Sequence, residues 1–193
     1  EFEASQATAA EMEEFGEDLN QMHVWYEPAG LYLTVPSYVE GVDSLADLAD
    51  NAELFDSQIV GIEAGAGMMG ILRNEVMPTY GLDDWELLES STPAMLAELD
   101  SAIENEQPIV VTLWSPGWWY GAYDLKNLED PEMAWGEPDQ IWIVASTAFE
   151  GRFPQIADWM MQFKMEDEPL SDLENVIRDM GDGNEDAAVA EWL

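Results

Sequence analysis

Apolar and polar positions alternate along this chain in short segments separated by Gly, Pro and acidic residues. Met12, Phe15, Leu19 and Met22 recur at helical spacing, so Ala4–Met22 is expected to be an acidic amphipathic helix. Leu31–Val35 reads as a strand stopped by Pro36. Ser44 precedes Leu45, Leu48 and Ala49 as the N-cap of a short helix. Gln58–Ile62 is an apolar run ending in a glycine-rich turn, after which Met68–Thr79 reads as helix and Trp85–Leu88 as strand. Thr92 with Pro93 marks an N-cap and a first helical position, and Met95, Leu96, Leu99 and Ile103 form the apolar face that follows. Ile109–Leu113 and Gln140–Ala145 are the remaining strands. Three helices close the chain at Phe153–Gln162, Ser171–Met180 and Asn184–Leu193, the second announced by a capping box of Ser171 and Glu174. Strands alternating with helices predict an α/β fold with a largely parallel sheet.

Charge then narrows the partners. Against 42 Asp and Glu stand only Arg73, Lys126, Arg152, Lys164 and Arg178, a formal net charge of −37. No basic surface is available to neutralise phosphates or anionic headgroups, which excludes nucleic acid and membrane-surface binding. The chain still has the means to fold: 47% of its 193 residues are hydrophobic, with 9 Trp, 6 Tyr and 6 Phe. Self-repulsion on this scale is relieved at molar salt, where the screening length falls to about 3 Å, so adaptation to concentrated salt is expected. Cys is absent. No apolar stretch reaches the length of a membrane span, and EFEASQATAAEMEEF lacks the features of a signal peptide.

Two segments carry candidate chemistry. Gly65-Ala66-Gly67-Met68-Met69-Gly70 is a G-x-G-x-x-G between an expected strand and an expected helix. It reads as a dinucleotide turn, with Glu89 near the distance for a ribose contact, as a cradle for a carboxylate or other small anion, or as a tight structural turn. The stretch Trp114–Tyr123, WSPGWWYGAY, puts five aromatics into ten residues with one Pro and two Gly, in a loop after a strand. Aromatic faces placed there are suited to a cleft that takes quaternary ammonium groups, and Trp118 or Trp119 is the expected contact. His23 is the single histidine, so neither a His-His metal site nor a His-based triad can be assembled. Among 42 acids no pair stands out as catalytic.

In order along the chain, VWYEPAGLYLTVPSYV (24–39), GIEAGAGMMG (61–70), ESSTPAMLAELDSA (89–102), PIVVTLWSPGWW (108–119) and YDLKNLEDP (123–131) resemble the substrate-binding proteins of glycine betaine/proline betaine ABC importers. The resemblance implies a type II periplasmic-binding-protein fold, two α/β lobes with mainly parallel sheets. Lobe one would comprise 1–35 and 113–193 and be incomplete, lacking upstream residues; lobe two would be 36–112. It implies a non-enzymatic protein without cofactor or metal that clamps a quaternary-ammonium solute in an aromatic cage and hands it to a membrane ABC permease. Its place would be extracellular or periplasmic, anchored through a segment upstream of residue 1. By position, Trp118 matches the aromatic after the family's T-P-x-W turn, with Trp119 the substitute, and Gly65, Ala66 and Gly67 match a glycine-rich turn that approaches the ligand. Departures are visible too. The family's D-A-W-L-P tryptophan would fall around Phe2–Ser5, Met165 stands where an F-x-W tryptophan is common, and Gly117 replaces the motif histidine. Glycine betaine, another betaine, choline or carnitine are all open as ligands. A dinucleotide-dependent oxidoreductase using Gly65–Gly70 and a ligand-less interaction module are the alternatives.

Overall fold

The computed structural model describes residues 18–181 and 183–193. The chain forms two compact units: Leu31–Trp114 with Tyr123–Glu137, and the described residues up to Gly30 with Ser115–Ala122 and Pro138–Leu193.

The first unit holds most of the apolar core. Its sheet uses β2 (Gln58–Val60), β3 (Glu86–Leu88), β4 (Val111–Ser115), β5 (Leu125–Asn127) and the C-terminal part of β1 (Leu19–Pro36), in the order β3-β2-β4-β1-β5. β2 runs parallel to both β3 and β4, whereas β5 pairs antiparallel with β1 through Thr34, Val35 and Pro36. Leu33, Val35, Ile59, Val111 and Leu113 are essentially inaccessible, as a central strand covered on both faces requires. Helical cover comes from α1 (Gly67–Ile71), a π-helical turn (Leu72–Val76) and α2 (Met77–Thr79) running end to end, and from α3 (Thr92–Glu104). Met69, Leu72, Val76, Met95 and Leu99 point inward from them. Ser44 is an N-cap as expected, on a short 3₁₀ turn over Leu45–Asp47, and Asp47 completes a capping box that was not anticipated. The cap of α3 sits one residue earlier than expected: the Ser91 hydroxyl accepts the Ala94 N–H at 3.3 Å, and Thr92 is the first helical residue.

In the second unit the N-terminal part of β1 pairs antiparallel with β6 (Asp139–Ser146). Around this ribbon lie α4 (Trp119–Ala122), α5 (Phe149–Arg152), α6 (Pro154–Met160), α7 (Asp167–Met180) and α8 (Glu185–Trp192). Its buried apolar residues are fewer, chiefly Met22, Tyr26, Trp119, Ala157, Leu170 and Ala188, while Trp142, Val144, Phe153, Ile156, Trp159 and Phe163 remain exposed.

Three expectations are corrected here. The helix expected over Ala4–Met22 lies outside the described residues up to Glu17, and its last part, Leu19–Met22, is strand. The sheet is mixed, because β1 takes antiparallel partners on β5 and β6. Ser171 does not cap a helix: α7 begins four residues earlier, where Asp167 and Glu168 favour the N-terminal dipole and Pro169 fits the first turn. No helix among the described residues is long and apolar enough to cross a membrane. None of the described Asp or Glu residues is buried; the buried polar residues are Thr34, Thr112 and Ser171.

Candidate functional site

The aromatic loop is built onto one face of α7. β4 ends at Ser115, whose hydroxyl accepts the Gly30 N–H at 3.0 Å, and the chain turns through a cis Ser115–Pro116 peptide. Gly117 follows, buried, because the Trp119 indole folds back over it; a β-carbon there would collide with the ring. Trp119 is accordingly only 4% exposed, whereas Trp118 is half-buried. The two rings sit 5.8 Å apart at 58°.

The main chain of Trp118 is held from α7. Its carbonyl accepts from Ser171 Oγ at 3.3 Å and from Asn175 Nδ2 at 3.0 Å. Arg178 then lays its guanidinium carbon 4.2 Å from the centre of the Trp118 ring. Ser171, Asn175 and Arg178 are spaced four and three residues apart and so share one helix face. The close approach depends on Gly121: a β-carbon there would stand 2.5 Å from Ser171 Oγ and 2.8 Å from Asn175 Nδ2. Next to these residues the Glu174 carboxyl has a buried Oε2 without a hydrogen-bond partner, and burial pushes its pKa up.

A second aromatic group forms near the start of the same helix. Trp25 on β1 lies 5.9 Å from Tyr26 and 5.6 Å from Phe163. The Met165 N–H donates to the Trp25 carbonyl at 3.2 Å, which ties the main chain of the half-buried Met165 to that of Trp25. The Tyr26 hydroxyl donates to Asp167, the first residue of α7, and Lys164 pairs with Glu27 at 3.7 Å. Asp167 and Ser171 are four residues apart, about 6 Å along the axis, so α7 ties both aromatic groups to one rod. Sequence reasoning singled out Met165 and Trp118 but missed Trp25 and Arg178. The signal for Trp25 was its place in the VWYEP motif.

The Gly65–Gly67 turn belongs to the first unit. Gly65 is exposed with open space where a side chain would go and has no positive φ, so neither conformation nor crowding demands glycine there; Gly67 likewise has no positive φ. Ala66 stands at the N-cap of α1 with no side-chain cap. Its N–H donates to the Glu63 carbonyl at 2.9 Å, and its own carbonyl accepts from Met69 at 3.0 Å. Glu63 swings its carboxylate to the N-terminus of α3 and accepts from Thr92 N and Oγ1, both at 3.1 Å. Backbone donation, first from Glu63 itself and then from Thr92, holds this carboxyl below its usual range. One anion position in this unit is therefore filled by the chain's own acid. His23 is half-buried on β1 opposite Ile143, and no cluster of metal-ligating side chains occurs among the described residues.

Comparison with known proteins follows the same lines. The family OpuAC, the substrate binding domain of the ABC-type glycine betaine transport system, matches residues 4–193. The chain belongs to this family. Within it, the glycine betaine/carnitine transport binding protein GbuC of Listeria monocytogenes is 34% identical over 146 residues, 75% of this chain and 48% of GbuC. The chain thus spans about half the length of that curated relative. The crystal structure of lactococcal OpuAC, closed and complexed with glycine betaine, superposes with a TM-score of 0.76 at 30% identity, covering 95% of this chain and 70% of that one. The glycine betaine/L-proline-binding protein ProX of Borrelia burgdorferi gives a TM-score of 0.75 at 28% identity, covering 96% and 69%. The fold expected from sequence, the type II periplasmic-binding-protein class, is the fold of these family members.

Proposed function

We propose that this chain is the ligand-binding part of an ABC-importer solute-binding protein that captures a quaternary-ammonium compatible solute, glycine betaine or a close analogue, and delivers it to a membrane permease. The observation that carries the reading is the state of Trp118. Its carbonyl is fixed by two donors from α7, and its ring already attracts a cation, Arg178, at 4.2 Å. An indole so placed supplies about 0.5–2 kcal/mol of cation–π attraction to a quaternary ammonium, which cannot itself donate hydrogen bonds. Relatives named for glycine betaine transport, one of them solved with glycine betaine, support the same ligand class.

Around Trp118 the other roles follow. Trp119 is the packing partner that fixes the loop, and Met165 with Trp25 supplies a second apolar surface attached to α7. The turn at Gly65, Ala66 and Gly67, where α1 has no side-chain cap, is the proposed carboxylate contact. The lobe assignment, 1–35 with 113–193 and 36–112, belongs to this reading, although the compact units differ from it in joining 31–35 and 123–137 to 36–112; an extracellular or periplasmic location and a surface suited to concentrated salt belong to it as well. Binding with no covalent step makes this a carrier rather than a catalyst. Trp118→Ala is expected to weaken glycine betaine binding at least about tenfold, the equivalent of losing roughly 1.4 kcal/mol. Calorimetric titration in high salt measures it, and an unchanged affinity would remove Trp118 from the site.

A further inference from the structure

The Trp118 ring is not an empty cation acceptor: it holds a permanent one from its own chain. Arg178 is one of five basic residues against 42 acids, yet it stacks on the aromatic to which the ligand is assigned. Its Nε and Nη2 both donate to Asp179 Oδ1, at 3.2 and 3.0 Å, so the guanidinium is steadied beside the ring. The Asp179 side chain is 70% exposed and that of Arg178 39%, so the carboxylate is the more solvated partner and offsets the guanidinium beside the ring only in part. A guanidinium keeps its charge at every accessible pH, so this positive charge is a constant feature of the site.

We propose that Arg178 is a charge-selecting residue: it makes the Trp118 site favour zwitterionic quaternary ammonium ligands over ligands that carry the same head group and a net positive charge. This rests on the assignment of ligand to Trp118. A bare quaternary ammonium adds a second positive charge close to the first, whether it takes the ring face from Arg178 or stacks on the opposite one. A zwitterion brings a carboxylate with its ammonium, and its net charge of zero removes most of that penalty. The long-range field of a chain at −37 attracts any cation, which makes local discrimination necessary if zwitterions are to be selected at all.

The experiment pairs two probes that share a trimethylammonium group, glycine betaine and tetramethylammonium, titrated calorimetrically into the wild-type chain, Arg178→Gln, Arg178→Lys and Trp118→Ala. Arg178→Gln is expected to tighten tetramethylammonium about tenfold while moving glycine betaine less than about threefold, and Arg178→Lys, which keeps the charge, is expected to preserve the wild-type ratio. A betaine-to-tetramethylammonium ratio that is the same in wild type and Arg178→Gln overturns the proposal. If Trp118→Ala weakens both ligands while that ratio stays fixed, only the role of Arg178 falls. If Trp118→Ala changes neither ligand, or if neither ligand binds any variant, the ligand assignment to Trp118 falls and the selectivity proposal falls with it.

Discussion

At the scale of single residues, the site depends on small substitutions with large steric or electrostatic effects. Gly117 has no room for a larger side chain, and the reason is local: the Trp119 ring fills the space a β-carbon would need. The aromatic loop that carries Trp118 was legible from its motif and composition. Arg178 was not, because its partner lies sixty residues away and nothing in helical spacing points to it. Glu174 shows how burial acts on an ionisable group. Burial pushes its carboxyl above the ordinary 4.5, so the folded protein holds that proton more readily than the unfolded chain does. Stability contributed by this group is present at low pH and is lost as pH rises from about 4.5 through the higher folded value. Glu174→Gln is therefore expected to raise the thermal midpoint at pH 7 and leave it nearly unchanged near pH 4. Equal midpoints of the two proteins at pH 7 would contradict the assignment of a destabilising, half-buried carboxylate.

At the scale of elements, α7 organises the second unit, since Asp167, Ser171, Asn175 and Arg178 all reach outward from one stripe to Tyr26 or Trp118. The contact with α4 leaves no room at Gly121. Gly121→Ala should cost about 1–3 kcal/mol, the usual range for overpacking, and a urea denaturation midpoint unchanged from wild type would show the helices to be less closely fitted. β1 explains the clearest misreading. Leu19 and Met22 fit helical spacing with Met12 and Phe15, yet they lie in a strand whose register with β6 shifts three times, between Gln21 and His23, Val24 and Tyr26, and Tyr26 and Ala29. Each shift inserts an irregularity that breaks the alternation of period two, so the strand leaves no clean pattern in the sequence. The short strands β2 and β4 were legible because their apolar runs are largely buried and end at turns, and β3, whose Leu87 and Leu88 are half-buried, because its apolar run is short and bounded by polar residues. Ser171 misled for another reason: its hydroxyl bonds to Trp118 across the fold rather than to its own helix.

At the scale of the whole molecule, composition bears on the conditions under which the chain folds. A formal charge of −37 on 193 residues makes folding costly in dilute buffer, and raising the salt from about 0.1 M to 1 M shortens the screening length from about 10 to 3 Å. The thermal midpoint is expected to rise across that range; a midpoint that falls or stays level would show that the charge has no such role. The α/β class and the family were legible because five motifs keep their order along the chain, whereas the mixed sheet was hidden, since antiparallel partners for β1 come from segments distant in sequence. The central claim is that the Trp118 indole contacts a quaternary ammonium group. Intermolecular nuclear Overhauser effects between the N-methyl protons of glycine betaine and the indole protons of Trp118, assigned by comparison with Trp118→Phe, test it most directly. Cross-peaks from the methyls to the Trp118 ring are expected in the saturated protein; saturable binding with no cross-peak to that ring, or no binding at all in molar salt, would contradict it.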